Sequence, residues 1–149
     1  MKRIILPVLI LAAAGIIFAC HNPAMQNTPE PWTRNQLLEP AALAATINNP
    51  SAAKPVIFSI GPAGLIKGAV DIGPAHEDDN LGKLKKELSK LPKNTAIVVY
   101  CGCCPFEHCP NIRPAFKLLN QMGFTNQKLL NLSDNLRVDW ISKGYPMAD

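Results

Sequence analysis

Several familiar features are missing from this sequence, and each absence narrows its function. No run of basic residues is interleaved with aromatics, and aromatics make up only 6% of the chain. The charged, stacking surface by which proteins hold nucleic acid is therefore absent, and nucleic acid is not an expected partner. No segment repeats at a fixed period, which argues against a solenoid or propeller. No apolar run reaches the ~20 residues of a membrane-crossing helix. The longest, Ile4 to Ala19, passes at once into polar, Pro-rich sequence. Cysteine is also scarce along most of the chain: of five, four crowd into Cys101, Cys103, Cys104 and Cys109, and the other is Cys20.

The first twenty residues, MKRIILPVLILAAAGIIFAC, carry two basic residues, an apolar stretch and then a cysteine. That order is an export signal. Ile17-Phe18-Ala19-Cys20 resembles a bacterial lipobox, with a branched apolar residue at −3, a small residue at −1 and the acceptor cysteine. The expectation is a signal peptide over residues 1–19, cleavage before Cys20 and acylation of that cysteine. The alternatives are an uncleaved anchor, or secretion with Cys20 as a free thiol. An exported lipoprotein held to a bacterial membrane by its lipid anchor, on the periplasmic or cell-surface side, follows from the first. Residues 20–32 contain HNPAMQNTPEPW and read as an extended tether. Residues 33–149 form the domain, long enough for one core. Without residues 1–19 the basic side chains number 13 against 11 acidic, so much of the net charge of +4 belongs to the signal.

From Thr33 the pattern alternates. EPAALAATINN reads as a short helix with Pro40 in its first turn. Pro55 to Phe58 is a buried-strand run closed by Gly61-Pro62, and Gly68 to Ile72 is a second extended piece. Asp78 and Asp79 are expected to cap a helix whose Leu81, Leu84, Leu88 and Leu91 share one face. Ala96 to Tyr100 is apolar throughout, as a central parallel strand should be. After the cysteine loop, Asn111 is a candidate cap for a helix ending at Gly123. Lys128 to Leu132 is a last strand, and Ser133 the expected cap of a last helix that Gly144 and Pro146 stop. Strands alternating with helices predict a single α/β domain with a parallel central sheet covered by helices on both faces. Sites in such sheets lie beyond the carboxyl ends of the strands, which is where Cys101 stands.

The segments LPKNTAIVVYC, KLLNQMGF and DWISKGYP, in that order, resemble the rhodanese-like family of sulfurtransferase domains. Those domains show a strand ending in the catalytic cysteine, a helix ending in Gly-Phe, and a final W–x–x–x–G–Y/F–P turn. The resemblance covers Leu37 to Met147. LIKGAVDI stands where the family has H-I-P-G-A, with Leu65 for His and Lys67 for Pro, and the acidic-x-Arg segment after the first strand is replaced by Phe58-Ser59-Ile60-Gly61. The loop after Cys101 is enlarged. A phosphatase-like Cys-x5-Arg cradle is disfavoured, because Glu107 holds the arginine position.

Three readings of the loop compete. In the first, which the resemblance implies, Cys101 is a nucleophile that accepts sulfur from a small donor as a persulfide. It then passes that sulfur to a thiol or another nucleophilic acceptor. Loop amides and a helix N-terminus favour its thiolate. Cys103, Cys104 and Cys109 are candidate resolving thiols, and Arg113 is a candidate electrostatic partner. In the second, the four cysteines and His108 hold zinc or an iron–sulfur cluster, although C-x-C-C-x4-C is no standard knuckle. In the third, a disulfide from Cys103 or Cys104 to Cys109 braces the loop. The first leads, with no cofactor and no metal expected. A non-catalytic module that binds metal or a partner is the alternative.

Overall fold

The computed structural model describes residues 29–149. The expected signal peptide, Cys20 and most of the tether lie outside the described residues. Five strands form one sheet: β1 (Leu37–Leu38), β2 (Val56–Ser59), β3 (Ala69–Asp71), β4 (Ile97–Tyr100) and β5 (Gln127–Leu130). Their order is β1-β5-β4-β2-β3, and every pairing is parallel. The helices are α1 (Pro40–Asn48), α2 (Asp78–Leu88), α3 (Ile112–Gln121) and α4 (Leu136–Asp139). The chain is thus an α/β domain with a parallel sheet, as the alternating pattern predicts. Among the described residues no helix is long and apolar enough to cross a membrane.

Strand β4 lies at the centre because all four of its side chains can be buried, and all are. Successive residues of a strand face opposite sides, and the core divides accordingly. Ile97, Val99 and Cys101 join Leu84 and Leu88 of α2 and Phe116 and Leu119 of α3 in one cluster. Val98 and Tyr100 join Leu43 of α1, Leu136 of α4 and Trp140 in the other. Helices therefore cover both faces of the sheet. Cys101 continues the period of β4 onto the face shared with α2 and α3.

The structure corrects three details. Asp78 and Asp79 do not cap α2. Glu77 holds the extended N-cap position, and the two aspartates occupy the first turn, where the helix dipole favours negative charge. Ser133 does not cap α4: Asn135 does, with its side chain accepting from the Val138 N–H at 3.0 Å. Strand β1, only two residues long, had no period to announce it and owes its identity to pairing with Leu129 and Leu130.

Trp140 closes the far side. It is fully buried, its indole N–H donates to the Pro146 carbonyl at 3.1 Å, and Tyr145 meets its ring edge-on. Gly144 makes that return possible with φ 69°, a left-handed conformation that favours glycine. Pro146 in turn accepts from the Lys67 N–H. The Trp140–Pro146 turn thereby ties the chain's end to the segment leading into β3.

Candidate functional site: a cysteine cluster at the end of the central strand

Cys101 is the first residue beyond β4, and its neighbours are held by β2 and β4 together. The Ile60 N–H donates to the Tyr100 carbonyl at 2.9 Å, so the end of β2 runs beside the end of β4. The buried Tyr100 hydroxyl donates to the Gly64 carbonyl and accepts from the Ile66 N–H, at 3.0 and 2.9 Å. That pair of bonds fixes the segment from Gly61 to Ile66 over the site. Gly61 packs directly on the thiol: a Cβ there would fall 2.2 Å from Cys101 Sγ. Only glycine lets backbone come so near the sulfur. Gly102, at φ 79°, turns the chain away from the sheet, and its Cβ would meet Leu136 at 2.8 Å. The Leu136 N–H donates to the Gly102 carbonyl, fastening the turn to α4.

The enlarged loop then folds back. Phe106, buried, opens a single 3-10 turn over Phe106–His108, and its N–H donates to the Leu132 carbonyl at 3.1 Å. This return brings Cys109, fully buried, under Cys101. The sulfurs of Cys101, Cys103 and Cys109 all lie within 4.8 Å of one another. Cys101 Sγ is 3.2 Å from Cys103 Sγ, which is 3.4 Å from Cys104 Sγ. All four cysteines are free thiols. Cys101 and Cys109 are buried and Cys104 half-buried, whereas Cys103 is exposed.

Asn111 completes the site in a way its position conceals. It is the N-terminal flanking residue of α3 but makes no side-chain cap. Its Oδ1 accepts from the His76 backbone N–H at 3.1 Å and from His76 Nδ1 at 2.7 Å. A backbone N–H can only donate, so that amide atom is the oxygen, and Nδ2 is left to donate to Cys101 Sγ at 3.2 Å.

These contacts favour a charged Cys101. The Cys109 thiol donates to it, and the Cys103 backbone N–H, the Asn111 amide and the Cys103 thiol add to the effect. Together they outweigh burial and bring Cys101 from 9.0 down to about 5. Its partners move the opposite way. Cys109 is raised because it gives its hydrogen to Cys101, and burial adds to this. Cys103 is pushed up to about 12, first by desolvation of its sulfur against the cluster, although the residue as a whole is exposed, then by its bonds to Cys101 and Cys104. One thiolate is held among protonated thiols.

The loop thus gathers Cys101, Cys103 and Cys109, with Cys104 beside Cys103. Arg113 is not part of this group. Its guanidinium pairs with Glu30, donates to the Glu107 carbonyl at 2.7 Å and lies over the Trp32 ring at 5.6 Å. It therefore joins the end of the tether to the loop. His108 is exposed. The residues that sequence reasoning missed are Gly61, Tyr100, His76 and Asn111. An asparagine at a helix start reads as a cap, and nothing local shows that its amide is directed inward.

Two surface hollows of about 230 and 290 Å³ open beyond the end of β5, one against Tyr145 and Lys143, the other against Phe106 and Glu107. Neither is lined by a cysteine; the cysteines sit in the packed loop beside them. Three soft donors within 4.8 Å are a set that can hold a thiophilic ion. Against that use, the Asn111 amide already directs an N–H at the Cys101 sulfur.

The sequence matches no protein-family model and no curated protein. Among solved structures the chain is similar to a cysteine-to-serine variant of EanB in complex with hercynine, at 20% identity and a TM-score of 0.52. The match covers 76% of this chain and 27% of that one, so the chain spans about a quarter of the length of the structure it resembles. The likeness is one of fold.

Proposed function

We propose that this protein is a rhodanese-like sulfurtransferase, or a closely related persulfide-handling protein, exported and anchored to a membrane through Cys20. Cys101 is its sulfur carrier. The observation that carries the reading is the buried Cys101 sulfur at the end of the central strand, which receives the Asn111 amide at 3.2 Å and is held as a thiolate by its neighbours. A thiolate is the nucleophile in sulfur exchange. It attacks the outer sulfur of a small persulfide donor, the donor leaves as its own thiolate, and Cys101 keeps the transferred sulfur as a persulfide. The same N–H groups that favour the thiolate stabilise the charged persulfide, so both states of the cycle are matched by fixed dipoles. Transfer to a thiol or other nucleophile returns Cys101 to its starting form. No oxidant is consumed.

The test is sulfur uptake. The reduced full-length protein, exposed to a low-molecular-weight persulfide, is expected to gain one sulfur on Cys101 by peptide mass spectrometry. Cys101→Ser should slow uptake by about 100-fold or more. Uptake by that variant at the parental rate would remove Cys101 from the mechanism.

The grouping of three sulfurs within 4.8 Å favours one other reading, a soft-metal site on a non-catalytic scaffold. Elemental analysis separates the two. Under the sulfur-carrier reading the isolated protein lacks stoichiometric metal and a chelator leaves its melting temperature unchanged. One metal ion per chain, lost in Cys101→Ser and Cys109→Ser, decides for the second.

A further inference from the structure

We infer that Cys103 is the delivery thiol of this site, taking the outer sulfur from Cys101 and presenting it at the surface to a thiol on a folded protein partner. The inference rests on the reading of Cys101 as sulfur carrier. Its starting point is a mismatch between reactivity and access. Cys101 is 1% exposed, so a sulfur bound to it lies out of reach of a side chain on a folded surface. Cys103 is exposed, and its sulfur is 3.2 Å from that of Cys101. Among the described cysteines only Cys103 is both open to solvent and adjacent to Cys101. Cys109 is fully buried. Cys104 is half-buried, and its sulfur is 3.4 Å from that of Cys103, one step further from Cys101.

The packing around Cys101 also determines which sulfur is attacked. Exchange needs the nucleophile in line with the bond that breaks. Gly61, Asn111 and Cys109 occupy the inner sides of Cys101 Sγ, so an added sulfur, bonded at ~2.05 Å, must extend towards Cys103. The inner sulfur is then shielded from behind, and the outer sulfur faces the exposed thiol. That bond length fills most of the 3.2 Å gap. Cys103 must therefore move outward into line, which a surface side chain does by changing rotamer.

The step balances without an oxidant. As Cys103 swings outward it leaves the packed contacts with Cys101 and Cys104 that hold its thiol protonated, and its proton passes to the terminal sulfur of the anionic Cys101 persulfide. The Cys103 thiolate so formed attacks that sulfur, and the bond between it and Cys101 Sγ breaks. The electron pair stays on Cys101, which the Asn111 amide and the Cys103 N–H receive as a thiolate, making it the better leaving group. The products are a Cys101 thiolate and a protonated Cys103 persulfide at the surface. Attack on the inner sulfur would instead form a Cys101–Cys103 disulfide, release hydrosulfide and require a reductant to reset.

The experiment compares the full-length parent with Cys103→Ser, which keeps the backbone N–H directed at Cys101. Each protein is reduced, treated with a small persulfide donor, freed of excess donor and offered either cyanide or a folded protein with one surface thiol. Alkylation and fragment-ion mass spectrometry locate the sulfur. In the parent it is expected on both Cys101 and Cys103, and in the variant on Cys101 alone. The ratio of delivery to the protein thiol over delivery to cyanide should fall about tenfold in the variant. An unchanged ratio overturns the relay while Cys101 stands as carrier. So does hydrosulfide release with a Cys101–Cys103 disulfide in the parent. A parent that takes up no sulfur overturns both the relay and the carrier reading.

Discussion

At Asn111 a single amide links two loops to one sulfur: its oxygen takes two N–H groups of His76, which leaves its nitrogen facing Cys101. A hydrogen bond to a charged group contributes ~1.5–3 kcal/mol, and a tenfold shift in ionisation is worth ~1.4 kcal/mol. Asn111→Ala is therefore expected to move the midpoint of Cys101 alkylation upward by about one to two pH units from about 5. Alkylation rate against pH, followed on Cys101 by mass spectrometry, measures it, and an unmoved midpoint would mean the amide does not act on the thiolate. The same ionisation is linked to stability. Between pH 5 and 9 the folded Cys101 has lost its proton while the unfolded one keeps it, so the unfolded state binds more protons and stability rises with pH. Cys103 and Cys109 act with the opposite sign above pH 9, where they keep protons in the fold that the unfolded chain releases. The parent should thus lose its advantage over Cys101→Ser as pH falls from 9 towards 5.

The elements around the site illustrate how a cap is chosen. Ser133 and Asn135 both precede α4 and both have side chains suited to capping. Asn135 is extended at φ −172° and bonds the Val138 N–H, while its own N–H and that of Asp134 donate to the Asp139 carboxylate. This reciprocal arrangement secures the short helix whose Leu136 roofs Gly102 and so bears on the cysteine loop. Asn135→Ala should cost about 1 kcal/mol, whereas Ser133→Ala should stay within about 0.5 kcal/mol. Chemical denaturation of the two variants checks this, and equal losses would contradict the assignment. A second link runs from the tether. Trp32 meets Phe106 and Phe116 edge-on, at 6.1 and 5.9 Å between centroids, so the segment entering the domain packs on the cysteine loop and on α3.

For the whole molecule the open proposal is its place in the cell. An apolar stretch ending in Ala19-Cys20 and a Pro-rich connection to Trp32 make Cys20 the expected anchor. Cys20→Ser should move the protein from the membrane pellet to the soluble fraction on cell fractionation. Unchanged membrane association would exclude acylation of Cys20 as the attachment. The variant leaves the cysteine cluster intact, so sulfur uptake by the released protein should match the parent.

The alternation of apolar runs and leucine periods determined the α/β class and the parallel sheet. It also placed Cys101 at a strand end, because burial on both faces of a central strand leaves a continuous apolar run in the chain itself. The crowding of cysteines was equally plain in the sequence. Only the tertiary structure decided how they divide, since an i,i+2 or i,i+8 spacing in an irregular loop does not say which sulfurs converge. The fold-back at Phe106 brings Cys109 under Cys101 and leaves Cys103 outside. His76, Gly61 and Asn111 come from separate segments, and their roles rest on contacts across as many as 40 residues of chain (Gly61 to Cys101). Arg113, which by sequence stands near the thiol, turns to Glu30 because an opposite charge and an aromatic face are available there. Local pattern is recorded in the chain because it reflects period and propensity. Long-range contact is not, because it depends on which surfaces the finished fold brings together.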